Sequence, residues 1–118
     1  MQQLSEIDTL RKRADFLAIA KTGQRGIAQS VTPQYRPAAP EQKIIRVGFT
    51  ATKKLGNAVV RNRAKRRLRA AILEVLKEKP ITPCDMVLIA REGLAARDFP
   101  TLLQDLRYCL RKAGAAHA

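Results

Sequence analysis

The amino-acid sequence predicts a single-domain α+β fold, an α-β sandwich in which helices pack on a central mixed sheet. Its 118 residues match the size of one domain. Hydrophobic residues make up 46% of the chain, which is enough for a core and excludes a wholly disordered basic tail. Helical and extended patterns follow one another in the order α-β-β-α-β-α, which is typical of a sheet layered with helices.

The first element is a helix. Apolar side chains at spacings of three and four predict a helix over residues 10–22, with Asp8 or Thr9 as its cap and Gly23 at its end. The apolar positions are Leu10, Ala14, Leu17 and Ala18. Residues 1–8 before it, like residues 114–118 at the other end, are expected to be flexible.

Two extended segments follow the helix. Residues 27–35 are rich in Val, Thr and Tyr, and residues 44–52 form a second strand. Residues 37–42 between them hold two prolines within four positions, which forbids helix and central strand. The pattern therefore predicts an antiparallel hairpin.

The second half predicts the longest helix, a buried strand and a last helix. Asn57 caps the helix over residues 58–78, and Pro80 stops it. Residues 86–90 are continuously apolar, as in a strand that is buried on both faces or central in a sheet. The last helix starts near Pro100. Its apolar face is Leu102, Leu103, Leu106, Cys109, Leu110 and Ala113.

The net charge of +13 is concentrated in one segment. No acidic residue lies between Glu41 and Glu74, while ten of the 23 Lys and Arg residues lie there. The other 13 basic residues nearly balance all ten acidic ones. Such a patch makes a polyanion the expected partner.

The basic residues surround an apolar stripe on the longest helix. The stripe is Val60, Ala64, Leu68, Ala71, Ile72 and Val75. Arg61, Lys65 and Arg69 flank one edge, Arg63 and Arg67 flank the other, and Asn62 and Arg66 point away. Like charges at this spacing cost helix stability, and Arg grips phosphate better than Lys does. The pattern favours a phosphate-binding surface over a merely solvated face.

Other functional classes find little support. Cys84 and Cys109 are too few for a disulfide scaffold or zinc site and are predicted to be free, buried thiols. The only histidine is His117, so the chain cannot form a His pair. No cluster of carboxylates indicates a nuclease site in the protein either. Patterns for a signal peptide, a membrane span, a membrane-surface helix and a DNA-binding helix-turn-helix are also missing. We therefore expect a cytoplasmic protein with neither membrane nor DNA as partner.

Residues 46–69, RVGFTATKKLGNAVVRNRAKRRLR, closely resemble the signature of the bacterial ribonuclease P protein component. The Arg61-Asn62-Arg63 core is its most specific part. The resemblance also covers residues 11–17, residues 85–91 and the last helix, so that it spans about residues 10–113.

The resemblance implies a left-handed crossover to the longest helix and a role beside a catalytic RNA. Together the two would remove the 5′ leader from precursor tRNA, with the active-site Mg²⁺ held by the RNA and no cofactor bound by the protein. Residues implied to face the catalytic RNA are Lys53, Lys54, Asn57, Arg61, Asn62, Arg63, Lys65, Arg66, Arg67 and Arg69. The alternative is a non-catalytic, ribosomal-type RNA-binding scaffold protein.

The resemblance also implies a leader cleft between the sheet and the first helix. Its expected residues are Arg11, Phe16, Arg46, Thr50 and Thr52. Strand alternation puts Gly48 on the same face, where its missing side chain would admit an RNA backbone, and puts Val47, Phe49 and Ala51 on the other face. Phe16 would stack on leader bases, with an ordinary core position as the alternative. Ala20 stands where many family members carry a second aromatic residue. Residues 27–35 lack the usual aromatic-aliphatic run of the family, unless Tyr35 substitutes for it.

Overall fold

The computed structural model describes residues 7–22, 24–25 and 30–113. Its helices and strands are β1 (Ile7–Thr9), α1 (Arg13–Thr22), β2 (Gln24–Arg25), β3 (Val31–Pro37), β4 (Ile45–Ala51), α2 (Ala58–Glu78), β5 (Cys84–Ala90) and α3 (Phe99–Ala113). Two 3₁₀ turns, Lys53–Leu55 and Glu92–Ala96, precede α2 and α3. These elements confirm the α+β class and add two short strands, so that residues 7 and 8, expected to be flexible, belong to β1.

The sheet is mixed, with strand order β1-β4-β5-β3-β2. The central strand β5 pairs in parallel with β4 and antiparallel with β3. The predicted hairpin of β3 and β4 is therefore wrong, because β5 lies between them. The physical reason is burial: Met86 and Leu88 on one face of β5 and Val87 on the other are all buried, and a strand apolar on both faces belongs in the middle of a sheet.

The helices cover the two faces of the sheet unequally. On one face α2 and α3 enclose the main core with β3, β4 and β5. On the other face α1 packs over a small cluster built from Leu10, Ile19 and Val87. The crossover from β4 through α2 to β5 joins two neighbouring parallel strands. Its left-handedness stays a prediction.

The longest helix agrees with the sequence pattern. It runs over Ala58–Glu78, and the Asn57 Oδ1 accepts a hydrogen bond of 3.0 Å from the backbone N–H of Val60. The stripe is correct except at its first position: Val60 is 40% exposed, and Leu76 is buried instead. Val60 belongs to the first turn, which faces a surface groove rather than the core.

The predicted start of α1 is wrong. Asp8 and Thr9 do not cap the helix but pair with β4, and the Leu10 N–H donates to the Val47 carbonyl at 2.9 Å. This pairing holds the chain extended until Arg13, where the helix begins. Gly23, its predicted end, lies outside the described residues.

The predicted apolar face of α1 is only partly correct, since Leu10 just before the helix is buried and Ala18 is half-buried. Leu17 is 52% exposed and Ala14 is exposed, whereas Ile19 is fully buried and Phe16 is half-buried. The helix buries only the narrow face that meets the small cluster over Val87. An apolar periodicity shared by two faces does not say which face meets the sheet.

The remaining elements follow the sequence pattern closely. Pro100 is the second residue of α3, whose Leu102, Leu106, Cys109 and Leu110 are buried. The described strand β3 begins at Val31, and residues 26–29 lie outside the described part, as do residues 114–118. Both cysteines are free and buried, and this burial raises the pKa of Cys84 to about 12 and that of Cys109 to about 11. Within the described ranges, no helix is long and apolar enough to cross a membrane.

Candidate nucleic-acid interface

The predicted RNA-facing residues come together on α2 and the turn before it. We call this set the α2 basic surface: Lys53, Lys54, Asn57, Arg61, Asn62, Arg63, Lys65, Arg66, Arg67 and Arg69. All except Arg61 and Arg67 are exposed. In the described part of the chain, none of its Lys or Arg side chains forms an ion pair. The surface therefore presents positive charge that the protein itself leaves uncompensated.

Arg67 forms two hydrogen bonds within the protein. Its Nη1 donates to the Leu94 carbonyl at 2.7 Å, and its Nη2 donates to the Arg97 carbonyl. These bonds join the middle of α2 to the end of the Glu92–Ala96 turn. The sequence predicts an RNA contact here, whereas the guanidinium is half-buried and holds the backbone.

Arg61 and Arg69 lie on the opposite edge of α2. Arg69 Nη1 is 3.4 Å from the Thr9 hydroxyl of β1, a weak contact that leaves most of the guanidinium to solvent. Arg61 Nε is shielded from solvent and has no hydrogen-bond partner among the described residues. Neither arginine forms an ion pair with a described carboxylate.

Three of the predicted cleft residues, Phe16, Arg46 and Thr50, lie on the face of the sheet that α1 covers. Strand pairing places Arg46 beside Asp85, Gly48 beside Val87 and Thr50 beside Ile89. Val47 is buried in the main core on the opposite face, and Phe49 and Ala51 pack against that core. The predicted alternation along β4 is therefore confirmed. Thr52 follows the end of β4 and is exposed.

The space above Gly48 is filled by Phe16. A Cβ at position 48 would lie 2.5 Å from Phe16 Cζ and 3.2 Å from Leu10 Cβ, which is closer than such atoms approach. The missing side chain therefore admits the Phe16 ring and not an RNA backbone. Phe16 is a half-buried member of the small cluster, so only part of its ring can meet a base.

No second aromatic side chain replaces Ala20. Tyr35 lies in the main core beside Met86, on the face away from α1. Ala20 itself is exposed, as is Arg11, which precedes α1. Phe16 is therefore the one aromatic side chain that the described residues bring to this face.

Arg46 is held by a carboxylate that the sequence pattern did not single out. We call Arg36, Gln42, Arg46 and Asp85 the Asp85 cluster. Asp85 is 2% exposed and accepts hydrogen bonds from both arginines, on β3 and β4, and from Gln42. Arg46 is bidentate, with Nε 2.8 Å from Oδ1 and Nη2 2.7 Å from Oδ2. The signal was available, because Asp85 is the one acidic residue in an otherwise apolar strand.

These contacts shift two pKa values. Burial by itself would raise the pKa of Asp85, but the hydrogen bonds from Arg46, Gln42 and Arg36 outweigh it and hold that pKa below its ordinary value. The hydrogen bond to Asp85 in turn raises the pKa of Arg46. Both groups are therefore charged at neutral pH.

A surface groove lies beside the α2 basic surface. It runs between the Lys53–Leu55 turn, the first turns of α2 and the Glu92–Ala96 turn, and it has two adjoining lobes of about 430 and 400 Å³. We call it the α2 groove. Arg91 borders both lobes, and its Nε donates to the Thr32 hydroxyl at 2.7 Å. The sequence pattern did not predict this groove, because its walls come from separate segments.

Comparisons with known proteins agree with this geometry. A family model described as Ribonuclease P matches residues 4–114. The ribonuclease P protein component of Gluconacetobacter diazotrophicus is 47% identical over 105 residues, covering 89% of this chain and 90% of that protein. That of Ruegeria pomeroyi is 49% identical over 109 residues, covering 92% and 87%. The solved structure of the Staphylococcus aureus RNase P protein has a TM-score of 0.75 at 29% identity, covering 90% of this chain and 94% of that one.

Proposed function

The chain belongs to the ribonuclease P protein family, and on that premise we propose that its α2 basic surface binds the catalytic RNA of ribonuclease P. In this role the protein assists the removal of the 5′ leader from precursor tRNA in the cytoplasm. The observation that carries the proposal is the positive charge of the α2 basic surface, with which no described carboxylate forms an ion pair. A ribosomal-type scaffold is not favoured, because the relatives and the structural neighbour are all ribonuclease P proteins.

Phosphate binding follows from the chemistry of this surface. Arg63, Lys65 and Arg66 are exposed on α2, and none of them forms an ion pair with a described residue that RNA binding would have to break. The N-terminal amides of the helix and its dipole add to the attraction for an anion. Binding then releases the counterions of the RNA, which supplies much of the affinity.

We assign the hydrolytic chemistry to the RNA partner. Three of the described carboxylates serve the fold: Asp85 holds two arginines, Asp105 pairs with Arg97, and Glu78 pairs with Arg107. Within residues 7–22, 24–25 and 30–113, no three His, Cys, Asp or Glu side chains lie together as a metal site. The Mg²⁺ that the reaction requires would therefore be held by the RNA, and the protein would bind and position.

The α1-covered face of the sheet is the proposed site for the leader. Arg36 and Arg46 each use Nε and Nη2 on Asp85, and their side chains remain 28% and 31% exposed, so Nη1 is left for a leader phosphate. The hydroxyl of Thr50 and the exposed guanidinium of Arg11 flank the same face. The half-buried ring of Phe16 provides a small apolar surface for one base.

Reconstitution with the catalytic RNA and precursor tRNA tests the proposed function. The protein alone should leave precursor tRNA intact at every Mg²⁺ concentration. Added to the catalytic RNA, it should lower the Mg²⁺ concentration needed for cleavage at the 5′ end of the mature tRNA. Cleavage by RNA-free protein, or a Mg²⁺ requirement that the protein leaves unchanged, would contradict the proposal.

A further inference from the structure

The α2 groove has the size of a ligand site. Its two lobes share Lys54, Leu55, Arg91 and Glu92, so they adjoin one another. Each lobe, at about 430 and 400 Å³, falls within the range of roughly 300–1,000 Å³ that small-molecule sites occupy. The groove is therefore large enough for a compact ring system with a polar substituent.

The lobe against α2 combines an apolar lining with a mostly positive charged lining. Its apolar lining is Leu55, Val60, Ala64, Leu94 and Ala95, of which Ala64 and Leu94 are buried. Its charged lining is Lys54, Arg63, Arg67 and Arg91, with Glu92 as the one carboxylate, and all of these except Arg67 are exposed. Val60 stays 40% exposed here although it lies on the stripe that otherwise forms the core. Apolar surface beside exposed cationic side chains is complementary to a flat base that carries a phosphate.

The wall opposite α2 is held in place by Arg67. Its bonds to the carbonyls of Leu94 and Arg97 tie the Glu92–Ala96 turn to the helix. Leu94 is buried, so the turn is also anchored in the main core. A wall fixed in this way lets a ligand bind without ordering the turn first, which favours affinity.

We propose that the α2 groove binds one unstacked nucleotide of the catalytic RNA. The base lies on Leu55 and Val60, its phosphate is bound by Lys54 and Arg63, and Glu92 accepts a hydrogen bond from an amino or imino group of the base. The inference rests on the proposed function, because it takes the RNA on α2 as given. The occupant is the catalytic RNA rather than the leader, since α2 forms the lobe and α1 lies on the opposite face of the sheet.

Filling the groove tests the inference. Ala95 and Ala96 are neighbouring exposed residues of the same 3₁₀ turn, but only Ala95 lines the groove. Ala95→Trp should weaken binding to the catalytic RNA about tenfold, which corresponds to a loss of about 1.4 kcal/mol when the base is displaced from its apolar contacts. The matched control Ala96→Trp should bind as the unmodified protein does. Thermal melts of both variants establish that they are folded.

A second pair of variants changes charge instead of volume. Val59 and Val60 are adjacent, exposed residues of the first turn of α2, and only Val60 lines the groove. A new carboxylate at either position repels RNA in general, but Val60→Glu also places it against the bound nucleotide. Val60→Glu should therefore weaken binding more than Val59→Glu does. If Ala95→Trp does not fold, the comparison of Val60→Glu with Val59→Glu still tests whether a nucleotide binds in the groove.

Chemical probing of the catalytic RNA identifies the occupant. With unmodified protein and with Ala96→Trp, one base should be protected that becomes reactive with Ala95→Trp, while the other protections persist. Equal affinities and protections within both pairs would overturn the inference and leave the proposed function standing. A groove variant that weakens only the binding of leader-bearing precursor tRNA would overturn it in favour of the leader. If the unmodified protein does not bind the catalytic RNA, the proposed function on which this inference rests is itself contradicted.

Discussion

The α2 basic surface and the Asp85 cluster use the same side chain, arginine, in opposite ways. On α2 the guanidiniums of Arg63 and Arg66 have no ion-pair partner among the described residues. In the Asp85 cluster, Arg36 and Arg46 converge on one buried carboxylate with N–O distances from 2.7 to 3.1 Å. An arginine supports the fold where a buried acceptor lies within reach. Where none does, the same side chain remains available to a partner.

The two regions also differ in their effect on stability. Adjacent like charges on α2 repel each other by a few tenths of a kcal/mol per pair, so this region costs folding free energy. The Asp85 cluster joins β3, β5 and β4 across the middle of the sheet. We expect substitutions of the exposed α2 arginines to weaken binding of the catalytic RNA with little loss of stability, Arg67 excepted. Substitutions of Asp85 should lower stability with little effect on binding of the catalytic RNA.

The largest expected effect is the salt dependence of RNA binding. If about 6–10 phosphates are neutralised, affinity for the catalytic RNA should fall roughly 10³–10⁵-fold between 50 and 200 mM salt. Arg63→Gln with Arg66→Gln should lower the slope of log affinity against log salt by about 1.4–1.8. Filter binding at several salt concentrations measures the slope. The matched control is Arg111→Gln with Lys112→Gln on α3, which should leave the slope unchanged, and an equal loss in both pairs would contradict a localised surface.

The next largest effect concerns the carboxylate of the Asp85 cluster. Asp85→Asn removes the charge that holds two guanidiniums and should lower the free energy of unfolding by about 3 kcal/mol, at the lower end of losses for broken buried pairs because both arginines are partly exposed. Urea unfolding measures this. The exposed Glu41→Gln is the control and should change stability by less than about 0.5 kcal/mol. If the two variants unfold alike, the cluster does not stabilise the sheet.

A smaller effect separates two arginines of α2 that stand one turn apart. Arg67→Ala removes two hydrogen bonds to carbonyls and should destabilise the protein by about 1–2 kcal/mol. Arg63→Ala removes no internal bond, so its stability should stay within about 0.5 kcal/mol while its affinity for the catalytic RNA falls. Urea unfolding and filter binding on both variants distinguish the two roles. Equal unfolding free energies would show that Arg67 is no more structural than Arg63.

The smallest expected effect is a loss of stability in acid. The pKa of Asp85 is lower in the folded protein than in the unfolded chain, so the folded state favours the carboxylate. Its contribution is complete above the unfolded pKa of about 3.9 and is lost as the pH falls through the folded value. Unfolding free energies measured from pH 6 down to pH 2 should decline less steeply for Asp85→Asn than for the unmodified protein. Parallel curves would contradict this linkage.

The sequence predicts α2 well because every signal there is local. The cap at Asn57, the spacing from Ala64 to Val75 and the stop at Pro80 each act within a few residues. The first turn is the exception. Whether Val60 faces the core or a groove depends on the Glu92–Ala96 turn, which is remote in sequence.

The failures all concern partners that are distant along the chain. Two neighbouring extended segments joined by a proline-rich turn predict a hairpin of β3 and β4, but β5 lies between the two strands. The acceptors of Arg46 and Arg67, which are Asp85 and the carbonyls of Leu94 and Arg97, lie on other segments, so the sequence pattern does not predict these internal hydrogen bonds. Charge patterning shows where cations are concentrated, and only the fold shows which of them are already bound.

The central position of β5 also constrains the order in which the chain can fold. β3 and β4 emerge during synthesis before α2, and their final partner emerges after it. Until residues 84–90 arrive, both strands have an open edge, and Arg36 and Arg46 lack the carboxylate that holds them. Non-local pairings of this kind slow folding, because the loop must close before the contacts form. The sheet is therefore completed late in synthesis, when a single strand supplies both the missing pairing and the missing charge.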